Sequence, residues 1–526
     1  MVKPETPSQQ KPAPSTTLGP NVGPGVAAAV PSELRVPPTG KLPVIGAVFL
    51  LAVVLGLLRL PLAMLIVLPG LFFCAQVFAG TWGAGRLRRQ LRPEVISATA
   101  TAAELQAKRE HHPREYSYLT GFEGRLAVLV PAHNEAEVLA GTLVSIKHQL
   151  RATDRLVVVA DNCTDTTADI ARSQGAEVIE RRHDTKRGKG FALDFGIDYL
   201  REGPAKNKPA ENIKETDAFA QPAQTPDIVV IIDADCQLAP GCMATLVEAC
   251  ERVRAPVQGL YLIEGEPALD FRARVAAAGH AMPEVGESLP RLNVGDIALR
   301  LRNHFRPLGL ARLGGYVPLQ GSGMAFPWSA LEGVDVASSA LAEDMKLGLD
   351  LARAGKGAHF CEAARLTSRS APSSAAASTQ HKRWVHGHIE LMLTTAPLLF
   401  LSGLLRLDLR RILLACDVWI LPLTGLLAVY ALVAGLSGVV AVLGHLGFVG
   451  ADAFFLSTRF FVWFGLGGFL LLLGVLRAWV VAGYYGRVPS LAAIPLYAVR
   501  AGMSVATSLL KREKRWVRTK RTDDDA

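Results

Sequence analysis

Two carboxylates separated by one residue, Asp233-Ala234-Asp235, follow directly on an apolar run at 228–232. Alternate residues at a strand end bring both side chains towards one polar site, and hard oxygen ligands of this kind suit Mg2+ or Mn2+ bridging a diphosphate. A cation held there neutralises charge on a departing nucleotide diphosphate, so no acid is needed to protonate the leaving group. A second acidic pair, Glu343-Asp344, opens an amphipathic segment at 345–354. Acidic residues suit a helix N-terminus for dipole reasons alone. The chemical reading makes Asp344 a general base, taking the proton of an attacking hydroxyl on the face opposite the leaving group. Further on stands Gln380-His381-Lys382-Arg383-Trp384. Arginine can fork onto diphosphate oxygens, and tryptophan offers a flat face to a sugar ring, although both are also at home at a membrane interface.

These groups need a scaffold that brings them together. Short apolar runs at 126–130, 156–160, 176–180 and 228–232 read as buried strands, and the segment 135–150 places Val138, Leu139, Leu143, Ile146 and Leu150 on one helical face. This alternation implies an α/β fold, a mostly parallel sheet covered by helices on both faces. Ligands of such sheets sit beyond the carboxyl ends of the strands. Those ends carry Pro131-Ala132-His133-Asn134-Glu135, Asp161-Asn162-Cys163-Thr164-Asp165 and Asp233-Ala234-Asp235. One acidic residue after a strand commonly caps a helix; three polar ends in one sheet point to a shared site.

The chain has 526 residues, 50% hydrophobic and 20% charged, which suits a soluble domain joined to membrane spans. The net charge of +9 is concentrated beside apolar runs, as expected of cytoplasmic flanks, and no nucleic-acid-reading motif accompanies it, so no nucleic-acid partner is expected. Seven cysteines at irregular spacing read as reduced thiols. The expected organisation is a disordered tail at 1–41, two transmembrane helices at 42–82, a cytoplasmic linker at 83–124 and the catalytic domain at 125–388. An interfacial helix at 389–411, two spans at 412–482, and an interfacial helix with a basic cytoplasmic tail at 483–526 complete it. Residues 203–226 and 264–296 read as loops or insertions, and the Lys- and Arg-free stretch 436–458 as an external loop. His386 and His388 lack a third ligand at helical spacing and read as polar contacts rather than a metal site. Such a chain is a multi-pass protein of the cell (inner) membrane with its catalytic domain in the cytoplasm.

The order of these motifs resembles the membrane-integrated family 2 glycosyltransferases, which include the cellulose, hyaluronan and poly-N-acetylglucosamine synthases. The resemblance covers roughly 125–400 and implies a GT-A-type nucleotide-sugar-binding domain. By it, Ala132, Glu135 and Asp161 contact the nucleotide base, and Lys189, in Arg187-Gly188-Lys189-Gly190, lies near the nucleotide or sugar. Asp233 contacts the donor, Asp235 the metal (Mg2+ or Mn2+), and Asp344, with Glu343 beside it, is the catalytic base. Gln380 and Arg383 hold the diphosphate, and Trp384 lies beside the acceptor sugar. The stretch Gln320-Gly321-Ser322-Gly323-Met324 stands where an acceptor-lining loop is expected but differs from the cellulose and hyaluronan versions. The implied partners are a UDP-sugar donor, a glycan or lipid-linked acceptor, membrane lipids and polysaccharide synthesis or export proteins. The implied reaction is inverting, metal-dependent sugar transfer to an exopolysaccharide or capsule-like glycan. Single addition to a lipid-linked acceptor and a catalytically silent scaffold are the alternatives. About four spans are expected, fewer than in cellulose synthase.

Overall fold

The structure is a computed structural model, which describes residues 63–82, 119, 122–203, 225–264, 294–338, 340–369 and 374–482. The expectations for 1–41, for the first span near 43–58, for the linker at 83–118, for the insertions at 204–224 and 265–293 and for the tail at 483–526 lie outside the described residues.

The apolar runs become the strands β1 (Leu126–Ala132), β2 (Arg155–Asp161), β3 (Glu177–Arg181) and β4 (Ile228–Ile231), which lie parallel in the order β3-β2-β1-β4. The sheet continues through β7 (Met324–Pro327), β6 (Val257–Glu264), β8 (His359–Arg369) and β5 (Cys236–Leu238). There the pairing turns antiparallel, except between β6 and β8. The parallel half carries the three motif-bearing strand ends, and the mixed half supplies the opposite wall of the site.

Both faces of the parallel strands are apolar because both are covered. On one face Leu126, Val128 and Val130 meet Leu139, Leu143 and Ile146 of α2 (Leu139–Lys147). The same face receives Met243, Leu246 and Val247 of α5 (Cys242–Val253). On the other face Ala127 and Leu129 meet Leu193, Ile197 and Leu200 of α4 (Lys189–Glu202). Ala171 of α3 (Thr167–Ser173) joins the cluster on the α2 face. The helix expected from 135 begins only at Leu139, because residues 134–136 are bound to the neighbouring strand-end loop: Glu135 N donates to Thr167 Oγ1 (2.8 Å) and the Asn134 side chain accepts from Thr164 N (2.7 Å).

The catalytic domain is joined to the apolar helices through a buried polar cluster. Helix α1 (Ala63–Thr81) crosses a continuous helical run made of α6 (Val294–Arg300), a π-helical turn (Leu301–Phe305) and α7 (Arg306–Arg312). The crossing is close because both partners present glycine. A methyl at Gly309 would lie 1.9 Å from Gln76 O, and one at Gly80 2.2 Å from Phe305 O. Beside it Arg306 Nη2 donates to Asp417 Oδ1 (2.8 Å), and Gln76 Nε2 donates to the same oxygen (2.8 Å). Arg312 Nη1 donates to the carbonyls of Ala79, Gly80 and Trp82 at the end of α1.

After α8 (Trp328–Leu331), α9 (Glu343–Arg353) and β8, one helix, α10 (Ser374–Leu405), runs without interruption through Gln380–Trp384 and beyond. Its part Arg383–Leu405 is long and apolar enough to cross a membrane, as are Gly425–His445 and Ser457–Val481; Leu68–Thr81 is a shorter apolar helix. Three boundaries therefore differ from expectation. The segment 389–405 belongs to a candidate span, because Pro397 does not break the helix. The segment 412–435 is two helices, α11 (Leu409–Val418) and α12 (Leu423–His445), separated at Pro422. In α11, Arg411 and Asp417 are buried against protein, which a lipid-facing span would not permit. The expected external loop at 436–458 is mostly helix, with α13 (Ala451–Ala482) starting after a short turn. Leu432, Leu436, Val439 and Val442 leave an exposed apolar face on α12. Tyr430 wedges between Gly70 and Gly467, holding α1, α12 and α13 together.

Removing one partner of a buried ion pair leaves a charge unpaired and costs about 3–5 kcal/mol. Asp417→Ala is accordingly expected to lower the unfolding temperature of the detergent-solubilised protein sharply. The double change Arg306→Met with Asp417→Leu should recover most of the loss. Equal melting of wild type and Asp417→Ala would remove this cluster from the joint between the two parts.

Candidate active site

A cavity of about 390 Å3 opens beyond the carboxyl ends of β1, β2 and β4. Its lining brings together Ala132, Glu135 and Asp161 from the first two strand ends, Lys189 from α4, Asp233 and Asp235, Gly321, Glu343 and Asp344 from α9, and Gln380, Arg383 and Trp384 from α10. Residues separated by up to 252 positions thus face one space.

The β1 and β2 ends are shaped by two asparagines in the left-handed region, Asn134 (φ 53°) and Asn162 (φ 52°). Asparagine tolerates this conformation better than most residues. His133 Nδ1 donates to the Asp161 carbonyl (2.7 Å). Asp161 Oδ1 accepts from Arg181 Nη1 (2.6 Å) and Asn162 Nδ2 (3.0 Å), so the carboxylate is fixed before any ligand arrives. The Arg181 guanidinium is held in turn by the Lys186 carbonyl (2.8 Å).

At the centre the Lys189 ammonium donates to Asp233 Oδ1 and to the Gly321 carbonyl (2.7 Å). Lys189 can reach both because α4 starts close to the 336–338 loop, where a methyl at Gly190 would lie 2.6 Å from the Ser338 carbonyl. Burial alone would lower the ammonium's pKa, but Asp233, Glu343 and Asp344 reverse this and push it up to about 12. For Asp233, burial raises the carboxyl, Lys189 opposes, and Asp235 and Asp344 add repulsion, leaving it above the ordinary range. Glu343 is pushed up to about 7, first by burial and then by the neighbouring Asp344 charge, against the pull of Lys189 and Arg383.

Gly321 has φ 95°, a conformation suited to glycine. A methyl there would stand 3.2 Å from Asp344 Oδ2, 3.4 Å from Lys189 Nζ and 3.8 Å from Asp233 Oδ2. The absence of a side chain therefore keeps open the space on which these three groups converge. Asp344 Oδ1 accepts from Met345 N (2.8 Å), which fixes the carboxylate at the helix start. On α10, Gly387 allows close approach to Ala342, where a methyl would lie 2.8 Å from both its N and Cβ. One turn earlier on the same helix stand Arg383 and Trp384, and one turn before them Gln380.

Two expected acceptor-lining residues do not line the cavity. Ser322 is fully buried: its Oγ accepts from Asp233 N (2.9 Å) and touches Cys236 Sγ (3.1 Å), so it braces the Asp233 backbone from behind. Gly323 (φ 67°) faces Leu366, whose Cδ2 a methyl would approach to 2.3 Å. Trp384 does line the cavity, but the Arg302 guanidinium lies over its ring, 5.2 Å from the centroid, so one face of the indole is taken. His388 Nε2 donates to the Ile420 carbonyl (3.1 Å).

Other residues gave no sequence signal. Arg302 and Asn303 come from the π-helical turn, and Tyr261 from β6. Gln258, fully buried in β6, accepts from Gln320 N (2.8 Å) and donates to the Ser322 carbonyl (2.9 Å), pinning the loop that carries Gly321. A glutamine in an apolar strand marks a buried polar role only once its partners are known.

A search of curated proteins gives no match. Among solved structures the chain is similar to a mannosyltransferase from Pyrobaculum calidifontis in complex with GDP-Man and Mn2+, at 16% identity over 85% of this chain and 96% of that one (TM-score 0.36). It is also similar to glucosyl-3-phosphoglycerate synthase from Mycobacterium tuberculosis, at 20% identity over 55% of this chain and 82% of that one (TM-score 0.29). A third similarity is to TarS from S. aureus, at 14% identity over 52% of this chain and 45% of that one (TM-score 0.28). The family model described as glycosyltransferase like family 2 matches residues 124–387, which spans every strand of the sheet and the cavity lining. The chain belongs to the family 2 glycosyltransferases, with a GT-A-type domain and, among the described residues, three helices long and apolar enough to cross a membrane.

Proposed function

We propose that this glycosyltransferase moves a sugar from a UDP-sugar, with inversion, to a growing exopolysaccharide or capsule-like glycan at the cytoplasmic face of the cell membrane. The observation that carries the reading is the single cavity on which Asp161, Asp233, Asp235, Asp344 and Arg383 converge. The base of the donor lies among Ala132, Glu135 and Asp161, where the Asp161 carboxylate is already oriented by Arg181. The diphosphate lies towards Gln380 and Arg383. The sugar occupies the space above Gly321, between Asp344 Oδ2 and Lys189.

In this arrangement Asp344 takes the proton of the acceptor hydroxyl. The oxygen then forms a bond to the anomeric carbon as the bond to the diphosphate oxygen breaks, and the electron pair leaves with the nucleotide. Asp233 and Asp235 supply hard carboxylate oxygens to one side of the cavity, a donor set that fits a divalent cation completed by substrate phosphates rather than by an all-protein cage. Among the described residues no cluster of three His, Cys, Asp or Glu ligands stands ready, which agrees with that division. Mg2+ or Mn2+ bound there would stabilise the charge on the departing diphosphate. Lys189 stays cationic and holds Asp233 in place. Single addition to a lipid-linked acceptor is the second reading, favoured by the wall of the cavity that borders the membrane helices, from which Arg302 projects.

Screening labelled nucleotide sugars against membranes containing the full chain, with Mg2+ and Mn2+ in parallel, tests the reading; no nucleoside diphosphate release from any donor would contradict it. Asp344→Asn is expected to lower transfer by about 10^2 to 10^4 while leaving donor affinity near wild type, measured as turnover against equilibrium binding of UDP. Asp235→Ala should abolish the part of turnover that a chelator removes from the wild type; turnover unaffected by either would remove Asp235 from metal binding.

The raised Glu343 carboxyl gives a pH test. Its ordinary value is 4.5 and its folded value about 7, so the folded state holds the proton more tightly. That contribution to stability is full below about 4.5 and is lost as pH rises through about 7. Glu343→Gln, which stays neutral, should melt at higher temperature than wild type above pH 7, by the equivalent of about 1–3 kcal/mol. The difference should shrink as the pH falls below 5. A difference independent of pH would show that burial does not raise this carboxyl.

A further inference from the structure

Of the oxygens that Asp233 and Asp235 could offer a divalent cation, one is already engaged. The Lys189 ammonium donates to Asp233 Oδ1 and to the Gly321 carbonyl (2.7 Å). Neighbours hold both partners in this contact. Asp233 N donates to Ser322 Oγ (2.9 Å), and Gln320 N ties the Gly321 loop to Gln258 (2.8 Å). Lys189 opens α4, beside the close approach of Gly190 to Ser338. Asp233 Oδ2 is the oxygen left over. It lies 3.8 Å from where a methyl on Gly321 would stand, and Lys189 Nζ lies 3.4 Å from the same point.

The balance of charge decides what this contact does to an ion. Asp233 and Asp235 would together present two negative charges, and the ammonium paired with Asp233 cancels one of them. A divalent cation placed beside Lys189 meets a like charge in a mostly desolvated space, where repulsion is weakly screened. Glu343 and Asp344 also act on the ammonium, from the start of α9, so Lys189 stands between two acidic pairs and serves both. Among the described residues no cluster of three His, Cys, Asp or Glu ligands is present. The chain alone thus brings little charge and few oxygens to a hard cation, and a nucleoside diphosphate brings both.

Resting on the reading of this cavity as a sugar-transfer site, we infer that Lys189 makes the cation site conditional. By holding Asp233 Oδ1, it keeps the Asp233–Asp235 pair from retaining Mg2+ or Mn2+ until a nucleoside diphosphate supplies the remaining charge and oxygens. Lys189 is then an internal counter-ion and a positioning residue for Asp233. The ion enters with the nucleotide or after it, and the same repulsion expels it once the nucleoside diphosphate departs.

The test is equilibrium dialysis of Mn2+ against the full-length protein in detergent micelles, with and without UDP. Free Mn2+ and its UDP complex pass the dialysis membrane, so the excess on the protein side reads bound ion. Wild type should bind Mn2+ at least about tenfold more tightly with saturating UDP than without it. Lys189→Met should bind Mn2+ alone about tenfold or more tightly than wild type does, and Lys189→Arg, which keeps the charge, should match wild type. Adding Asp235→Asn to Lys189→Met should abolish the gain, which locates the ion. Because Lys189→Met leaves the acidic groups without their cation, Mn2+ should also raise its melting temperature more than that of wild type, and chelator should reverse the rise. Unchanged binding of Mn2+ alone by Lys189→Met, even with weakened UDP binding, leaves Lys189 as a nucleotide contact only and overturns the inference. A gain shared by Lys189→Arg, a gain that survives Asp235→Asn, or a melting temperature of Lys189→Met that ignores Mn2+ overturns it as well. The measurements with Mn2+ alone need no nucleotide, so their failure is distinct from failure of wild type to bind UDP in the presence of Mn2+, which would remove the sugar-transfer reading and the inference with it.

Discussion

Four carboxyl groups, those of Asp233, Asp235, Glu343 and Asp344, face one cavity, and the Lys189 ammonium is what lets them stand together. Its bond to Asp233 and to the Gly321 carbonyl ties α4, the β4 end and the loop before β7 into one unit. Like charges in a partly desolvated space repel, so without a cation the acidic residues would protonate or separate. The Glu343 carboxyl is raised to about 7, by burial first and by the Asp344 charge second. The rest of the site is arranged around this centre. Gly190 sets the approach of α4, Ser322 braces Asp233 from behind, and Gln258 pins the loop that carries Gly321.

Among the described residues, two helical runs lead from the apolar helices to that centre. The helix that presents Gln380, Arg383 and Trp384 is the same one that continues as an apolar stretch to Leu405. The helical run that presents Arg302 continues into Arg306 and its buried partners Gln76 and Asp417. On the proposed reading, these helical paths would fix where the acceptor arrives relative to the reacting groups, which suits chemistry that depends on placement within about 0.5 Å.

Much of the catalytic half was legible from sequence because its physics is local. Strands covered on both faces leave continuous apolar runs, as at 126–130 and 156–160, and a site beyond their ends concentrates polar motifs there. The inward turn of Ser322 and Gly323 was not legible, since it depends on Cys236, Asp233 and Leu366 from other strands. Arg302 escaped because it sits in a π-helical turn that only tertiary packing defines. The span boundaries slipped where a buried ion pair made α11 a protein-facing helix, and where Pro397 failed to interrupt α10. For Ser322, Gly323 and α11 the deciding contact is made with a residue far away in the chain.

The central claim is that these dispersed residues form one nucleotide-sugar site. Photolabelling of the full chain with a 5-azido-UDP-sugar, followed by peptide mapping, tests it most directly. The account predicts crosslinks confined to peptides containing residues 131–138, 161–162 and 187–189, suppressed by excess UDP. Labelling that falls outside the cavity lining, or that excess UDP leaves unchanged, would contradict it.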